Sequence, residues 1–82
     1  MEDLKNIISN LSFLNKEITH DTDLLEDLGF DSLQILRLLV EVENHYNFQI
    51  SYDAIDYEIF KRYQDLEQFV IKKIEKSDSK YI

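Results

Sequence analysis

Leu4, Ile7, Ile8, Leu11 and Leu14 recur at the three- and four-residue spacing of one helical face, while Glu2, Asp3, Lys5, Asn6, Ser9, Asn10 and Ser12 occupy the other. The pattern predicts an amphipathic helix over residues 2–14. The period is lost from 15 to 31, where N-K-E-I-T-H-D-T-D-L-L-E-D-L-G-F-D mixes acids with Ile18, Leu24, Leu25, Leu28 and Phe30. That stretch is too apolar for a free linker and reads as a long ordered loop pinned to the core; loops of this length in small domains are commonly functional. The period then returns. Leu36, Leu39, Val40, Glu43 and Tyr46 share one side, widened by Ile35, Leu38 and Val42, with Gln34, Arg37, Glu41 and Asn44 opposite. This second helix, the most apolar of the chain, is expected to run to His45 or Asn47.

Residues 48–60 are ambiguous. F-Q-I-S-Y alternates like a strand, yet no second strand is available to pair with it. A short helix within 54–61 is expected instead. Tyr63, Leu66, Phe69, Val70 and Ile74 resume helical spacing to about Lys76, and the tail S-D-S-K-Y-I is expected to fray. The predicted fold is all-α: a small four-helix bundle with three main amphipathic helices, a short third helix and a long ordered first loop. Residues 1–76 form the domain and 77–82 the tail, with no internal repeat.

Composition sharpens this picture. The 82 residues suffice for one domain with one modest core, and not for a deep water-excluding cleft besides. There is no Pro and a single Gly, so helices are almost unobstructed and Gly29 gains weight. Gly29 supplies a backbone conformation that other residues dislike, just before the second helix. Asp31 or Ser32 can cap that helix, and with Asp31 as cap Gln34 completes a capping box. Nine Lys and Arg against seventeen Asp and Glu leave a net charge of −8, which repels nucleic acids and anionic membranes and complements a basic protein surface. A second reading of the acidity is plain solubility. With no Cys the chain has no thiol nucleophile of its own. M-E-D-L-K-N is not expected to begin a signal peptide, and a cytoplasmic protein is the default expectation.

Few residues invite catalysis. Ser32 and His45 lie on one helix, about 20 Å apart along its axis, too far to hydrogen-bond. Asp21, Asp23, Glu26, Asp27 and Asp31 do not follow the calcium-loop pattern, because the central Gly and terminal Glu are misplaced. They read better as a patch facing a partner, or as a solvated face.

The run D-L-G-F-D-S-L-Q, Asp27 to Gln34, sits at the loop-to-helix junction. There, and more widely from Thr22 to Glu43, the sequence resembles the acyl carrier protein family, whose signature is Asp-Ser-Leu opening the second helix. The triplet alone is a common helix cap; the extended match in a small acidic helical chain is not. The resemblance implies that Ser32 bears a 4′-phosphopantetheine arm taken from coenzyme A by a phosphopantetheinyl transferase, with Asp31 and Leu33 beside it. It implies a monomeric carrier rather than an enzyme, with no metal, loaded by acyl or aminoacyl ligases and synthases that offer basic docking surfaces. Gln34, Arg37, Glu41, Asp27, Phe30 and Ile55 would meet those partners. The physics agrees, since a phosphodiester at a helix N-terminus meets free N–H groups and the positive end of the dipole.

The match to fatty acid carriers departs at three points. Gln34 and Arg37 stand where those carriers usually have acids. Ser51 follows Ile50 where Pro is common. The segment carrying Asp56, Glu58, Phe60, Tyr63 and Leu66 looks more like carriers of aminoacyl, peptidyl or polyketide groups. A dedicated or secondary-metabolite pathway is therefore the expectation, with an aminoacyl or peptidyl carrier and a housekeeping fatty acid carrier as alternatives. An unmodified acidic helical adaptor is the reading from outside the family.

Overall fold

Three α-helices form where the apolar period is strongest: α1 (Glu2–Leu11), α2 (Ser32–Tyr46) and α3 (Tyr63–Ser79). The computed structural model describes residues 1–79, with side chains to Lys76. α3 runs to Ser79, past its expected end at about Lys76 and into the stretch expected to fray; the side chains of 77–82 and all of 80–82 lie outside the described residues. All regular structure among the described residues is helical. No described helix is long and apolar enough to cross a membrane.

α1 stops three residues short of expectation. The Ser12 hydroxyl donates to the Leu14 carbonyl at 3.0 Å and accepts the Leu14 N–H at 3.1 Å. Such local side-chain bonds compete with the helical ladder. Phe13 is left 90% exposed, and Leu14 points outward too instead of joining the apolar face.

α2 is capped by Asp31, whose carboxylate accepts the Gln34 N–H at 2.9 Å. Only half of the expected capping box forms: Gln34 Nε2 donates to the Leu11 carbonyl at 3.0 Å and ties the start of α2 to the end of α1. The helix ends at Asn47, which takes the left-handed conformation at φ 60°, one that Asn tolerates better than most residues. The buried stripe is Ile35, Leu38, Leu39 and Val42. Leu36 and Val40, expected on that stripe, are exposed. Residues one position apart point about 100° apart, so packing against Leu4 and Ile8 of α1 and Leu66 and Val70 of α3 selects one of two overlapping apolar sides.

Between α2 and α3 the chain makes two 3-10 turns, Tyr52–Ala54 and Tyr57–Lys61, in place of the expected short α-helix. The Asp56 carboxylate starts the second by accepting the Glu58 N–H at 2.9 Å, and Phe60 from it is fully buried. Glu43, the one acid that the period places on the apolar side of α2, closes this segment. Its carboxylate accepts the Ile50 N–H at 2.7 Å and the Tyr52 hydroxyl. That bond holds the Tyr52 hydroxyl above its usual pKa.

The long first loop is stitched down by backbone. Leu24 N–H donates to the Phe60 carbonyl at 2.9 Å, Tyr63 N–H to Thr22 at 2.7 Å, and Gln64 N–H to His20 at 3.0 Å. Ile18, Leu24, Leu28 and Phe30 reach the core as expected. At the top of α3, Tyr63 is fully buried. Its hydroxyl lies 2.9 Å from Glu67 and 3.2 Å from the Met1 carbonyl, and its single proton goes to the nearer carboxylate. Burial first, then that bond, pushes the Tyr63 hydroxyl well above the tyrosine range.

Gly29 has φ 70°, with no atom within 4 Å of where a Cβ would stand. Gly29→Ala should therefore cost strain without a clash, about 1–2 kcal/mol. Urea unfolding should show the midpoint lowered with the slope unchanged; an undiminished midpoint would mean the turn relaxes freely.

Candidate functional site

Ser32 is the first residue of α2, and its side chain is exposed. Three neighbours place it there. Gly29 turns the chain through its left-handed conformation. Phe30 is buried, and its N–H donates to the Leu24 carbonyl at 2.9 Å. Asp31 caps the helix. A rigid anchor thus lies two residues before an exposed hydroxyl.

Four N–H groups open a helix without intrahelical partners. Here the Gln34 N–H is taken by the Asp31 carboxylate. The N–H groups of Ser32 and Leu33 remain at the helix end, where a phosphate ester on Ser32 would meet them together with the positive dipole. The site thus fits a covalent phosphodiester: an exposed hydroxyl, free local donors and no side chain to displace. The Asp31 carboxylate opposes a second negative charge there, and its solvent exposure screens the repulsion.

Leu33, next along, is 59% exposed. Arg37 and Glu41 are exposed on the outer side of α2, beside the exposed Leu36 and Val40. A shallow groove of about 260 Å³ runs beside Ser32, lined by Leu11, Phe13, Asp31, Leu33, Gln34 and Arg37. The contribution of α1 to this groove was not foreseen from the sequence. An apolar Phe13 just past the last helical turn was the one available signal.

The other candidates separate from Ser32 or change role. Phe30, expected at the partner surface, is a core residue that supports the surface from behind. Gln34 is half-buried and committed to Leu11. Ile55 is half-buried against the core. Asp27 is exposed, and its carboxylate accepts the Asp23 N–H at 2.9 Å. Asp23 in turn accepts the N–H groups of Leu25 at 2.8 Å and Glu26 at 3.0 Å. These acids shape the loop by bonding its backbone. Asp21 pairs with Arg62 at 3.1 Å. Among the described residues no group of three or more His, Asp and Glu is placed to hold a metal ion. His45 lies 3.3 Å from Asp3, joining the end of α2 to the start of α1.

Residues 2–70 match the protein family described as "Phosphopantetheine attachment site". An acyl carrier protein of Aster yellows witches'-broom phytoplasma (strain AYWB) is 39% identical over 72 residues, 87% of this chain and 92% of that protein. One from Onion yellows phytoplasma (strain OY-M) is 41% identical over 66 residues, 80% of this chain and 84% of its own. One from Clostridium perfringens (strain SM101 / Type A) is 35% identical over 74 residues, 89% and 95% of the two chains.

Proposed function

The chain belongs to the acyl carrier proteins, the family with a phosphopantetheine attachment site, and from that premise we propose that Ser32 is the residue to which its 4′-phosphopantetheine is joined. The observation that carries this assignment is the placement of Ser32: an exposed hydroxyl at the first position of α2, fixed by buried Phe30 and the Asp31 cap. In the joining step the Ser32 Oγ forms a bond to the pantetheine-bearing phosphorus of coenzyme A. The phosphoanhydride bond breaks, adenosine bisphosphate leaves, and the hydroxyl proton passes to a base of the transferase. The bound arm supplies a terminal thiol that carries acyl groups as thioesters. The chain itself performs no catalysis; α2 presents the attachment point, and its N-terminal donors stabilise the phosphate. Incubation with coenzyme A, magnesium and a phosphopantetheinyl transferase should add one arm by intact mass. Digestion should place it on the peptide containing Ser32. A protein that gains no mass is an unmodified adaptor, and the proposal fails.

The cargo is read as an acyl group, in line with the relatives' name. The two 3-10 turns are read as standing in for the short third helix of a four-helix bundle. Partners are read as a dedicated enzyme set, on the strength of Arg37. Among the described residues no carboxylate pairs with its guanidinium, including Glu41 one turn on. A cation without a carboxylate partner on the outer side of α2 disfavours enzymes whose docking surfaces are themselves basic, and suits a partner with a local acid. Exposed pairs are worth roughly 0.2–1 kcal/mol. Arg37→Glu should therefore speed processing by a fatty acid synthesis enzyme with a basic docking surface by about two- to fivefold. The gain should shrink as salt is added. Equal rates for both proteins across ionic strength would remove Arg37 from recognition.

A further inference from the structure

We infer that the phosphopantetheine arm rests in the external groove between the end of α1 and the outer face of α2, instead of standing free in solvent. The inference takes Ser32 as the attachment point. Two residues that line the groove, Asp31 and Leu33, flank Ser32 directly. A tether this short gives the arm an effective concentration in the millimolar range, so weak complementarity suffices to seat it.

The groove has the chemistry for this occupant. Its apolar walls are side chains that folding leaves in water: Phe13 at 90% and Leu33 at 59% exposure, backed by Leu11. The Ser12–Leu14 hydrogen bonds hold Phe13 in place. Exposed apolar groups gathered on one side of a small domain mark a contact surface. The branched dimethyl group and methylenes of pantetheine would cover them. Two polar groups match the rest of the arm. Arg37 has no carboxylate partner among the described residues and can meet the phosphodiester. Gln34, held by its Nε2 donation to Leu11, keeps its amide oxygen for an N–H of the arm.

Length also fits. Arg37 lies five residues beyond Ser32, about 7.5 Å along the helix axis. The groove continues into a second hollow of about 380 Å³ that shares Leu11 and Arg37 and adds Leu36, Val40 and Glu41. Glu41 is about 13.5 Å along the axis from Ser32. The arm thus lies along α2 with its thiol end at a shallow, open place, from which a partner enzyme can lift it.

The test uses protein labelled with carbon-13 and nitrogen-15, carrying an unlabelled arm added to completion as verified by intact mass. Isotope-filtered cross-peaks from the pantetheine methyl groups should reach Leu11, Phe13 and Leu33. Phe13→Ser, at a position outside the core, should lose them, and Arg37→Gln should weaken them. Circular dichroism should show both variants as helical as the parent. An arm that is attached but shows no such cross-peaks, or shows them to core residues such as Leu38 and Val42, overturns the inference and leaves the attachment intact. A chain that gains no arm overturns the attachment, and the inference with it.

Discussion

Ser32→Ala should abolish addition of the arm completely while leaving the fold in place. The variant removes one exposed hydroxyl and no core contact. The helix start survives, because Asp31, not Ser32, accepts the Gln34 N–H. Ala is also a better helix former than Ser by a few tenths of a kcal/mol. Stability should therefore stay within about 0.5 kcal/mol of the parent, as for most surface substitutions. The two readouts are intact mass after exposure to coenzyme A and transferase, and a urea melt followed by circular dichroism. Other serines provide the control. Ser12 is bonded to Leu14, and Ser51 precedes a turn of only three residues with no helix dipole to speak of. A mass gain persisting on the Ala variant would put the arm elsewhere and sink the assignment.

Phe60→Ala should be the most destabilising single change. Phe60 is fully buried, its ring centroid lies 5.8 Å from that of Tyr57, and its carbonyl receives the Leu24 N–H. It comes from a five-residue 3-10 turn with little intrinsic stability, so this segment is held by what Phe60 buries. Truncation of a buried Phe costs about 3–5 kcal/mol, against a total of about 5–15 kcal/mol for whole domains. With a urea slope of about 1–3 kcal/mol per molar, the midpoint should fall by at least about 1 M. Phe60→Leu keeps most of the volume and should cost less than half as much. If Phe60→Ala melts with the parent, the second 3-10 turn is peripheral and Phe60 does not anchor the core.

What could be read from the sequence follows the physics of each feature. Helix existence was legible because α1, α2 and α3 each bury one stripe, and the stripe leaves a period. The end of α1 was not, since a hydroxyl bonding its own neighbours at Ser12 leaves no periodic trace. The buried side of α2 was ambiguous for a related reason. Apolar residues cover more than half its circumference, and only the position of α1 and α3 decides that Ile35 faces in and Leu36 out. The period placed Glu43 on the apolar side of α2 but not its role, because its acceptor bond to the Ile50 N–H joins two segments whose distance in space no local pattern encodes. The residue proposed for attachment, Ser32, stood out because its motif is local. The groove beside it was not, because Leu11 ends α1 and Phe13 stands at the far end of the twenty-residue loop that separates α1 from α2.

The backbone bonds that fasten the first loop to the start of α3 carry a consequence for how the domain opens. The amides of Leu24 and Tyr63 lie outside any helical ladder, yet each donates across the fold, to Phe60 and Thr22. Their protons cannot exchange with solvent by fraying of a neighbouring helix end; the loop and the second 3-10 turn must part together. Those two segments therefore form one cooperative opening unit, and Leu24 and Tyr63 should exchange with a shared opening free energy. The same unit leads through Phe30, whose N–H donates to the Leu24 carbonyl, to Ser32, the proposed attachment point. Thermal breathing around Phe60 and the steadiness of the Ser32 hydroxyl would then be two readings of a single equilibrium.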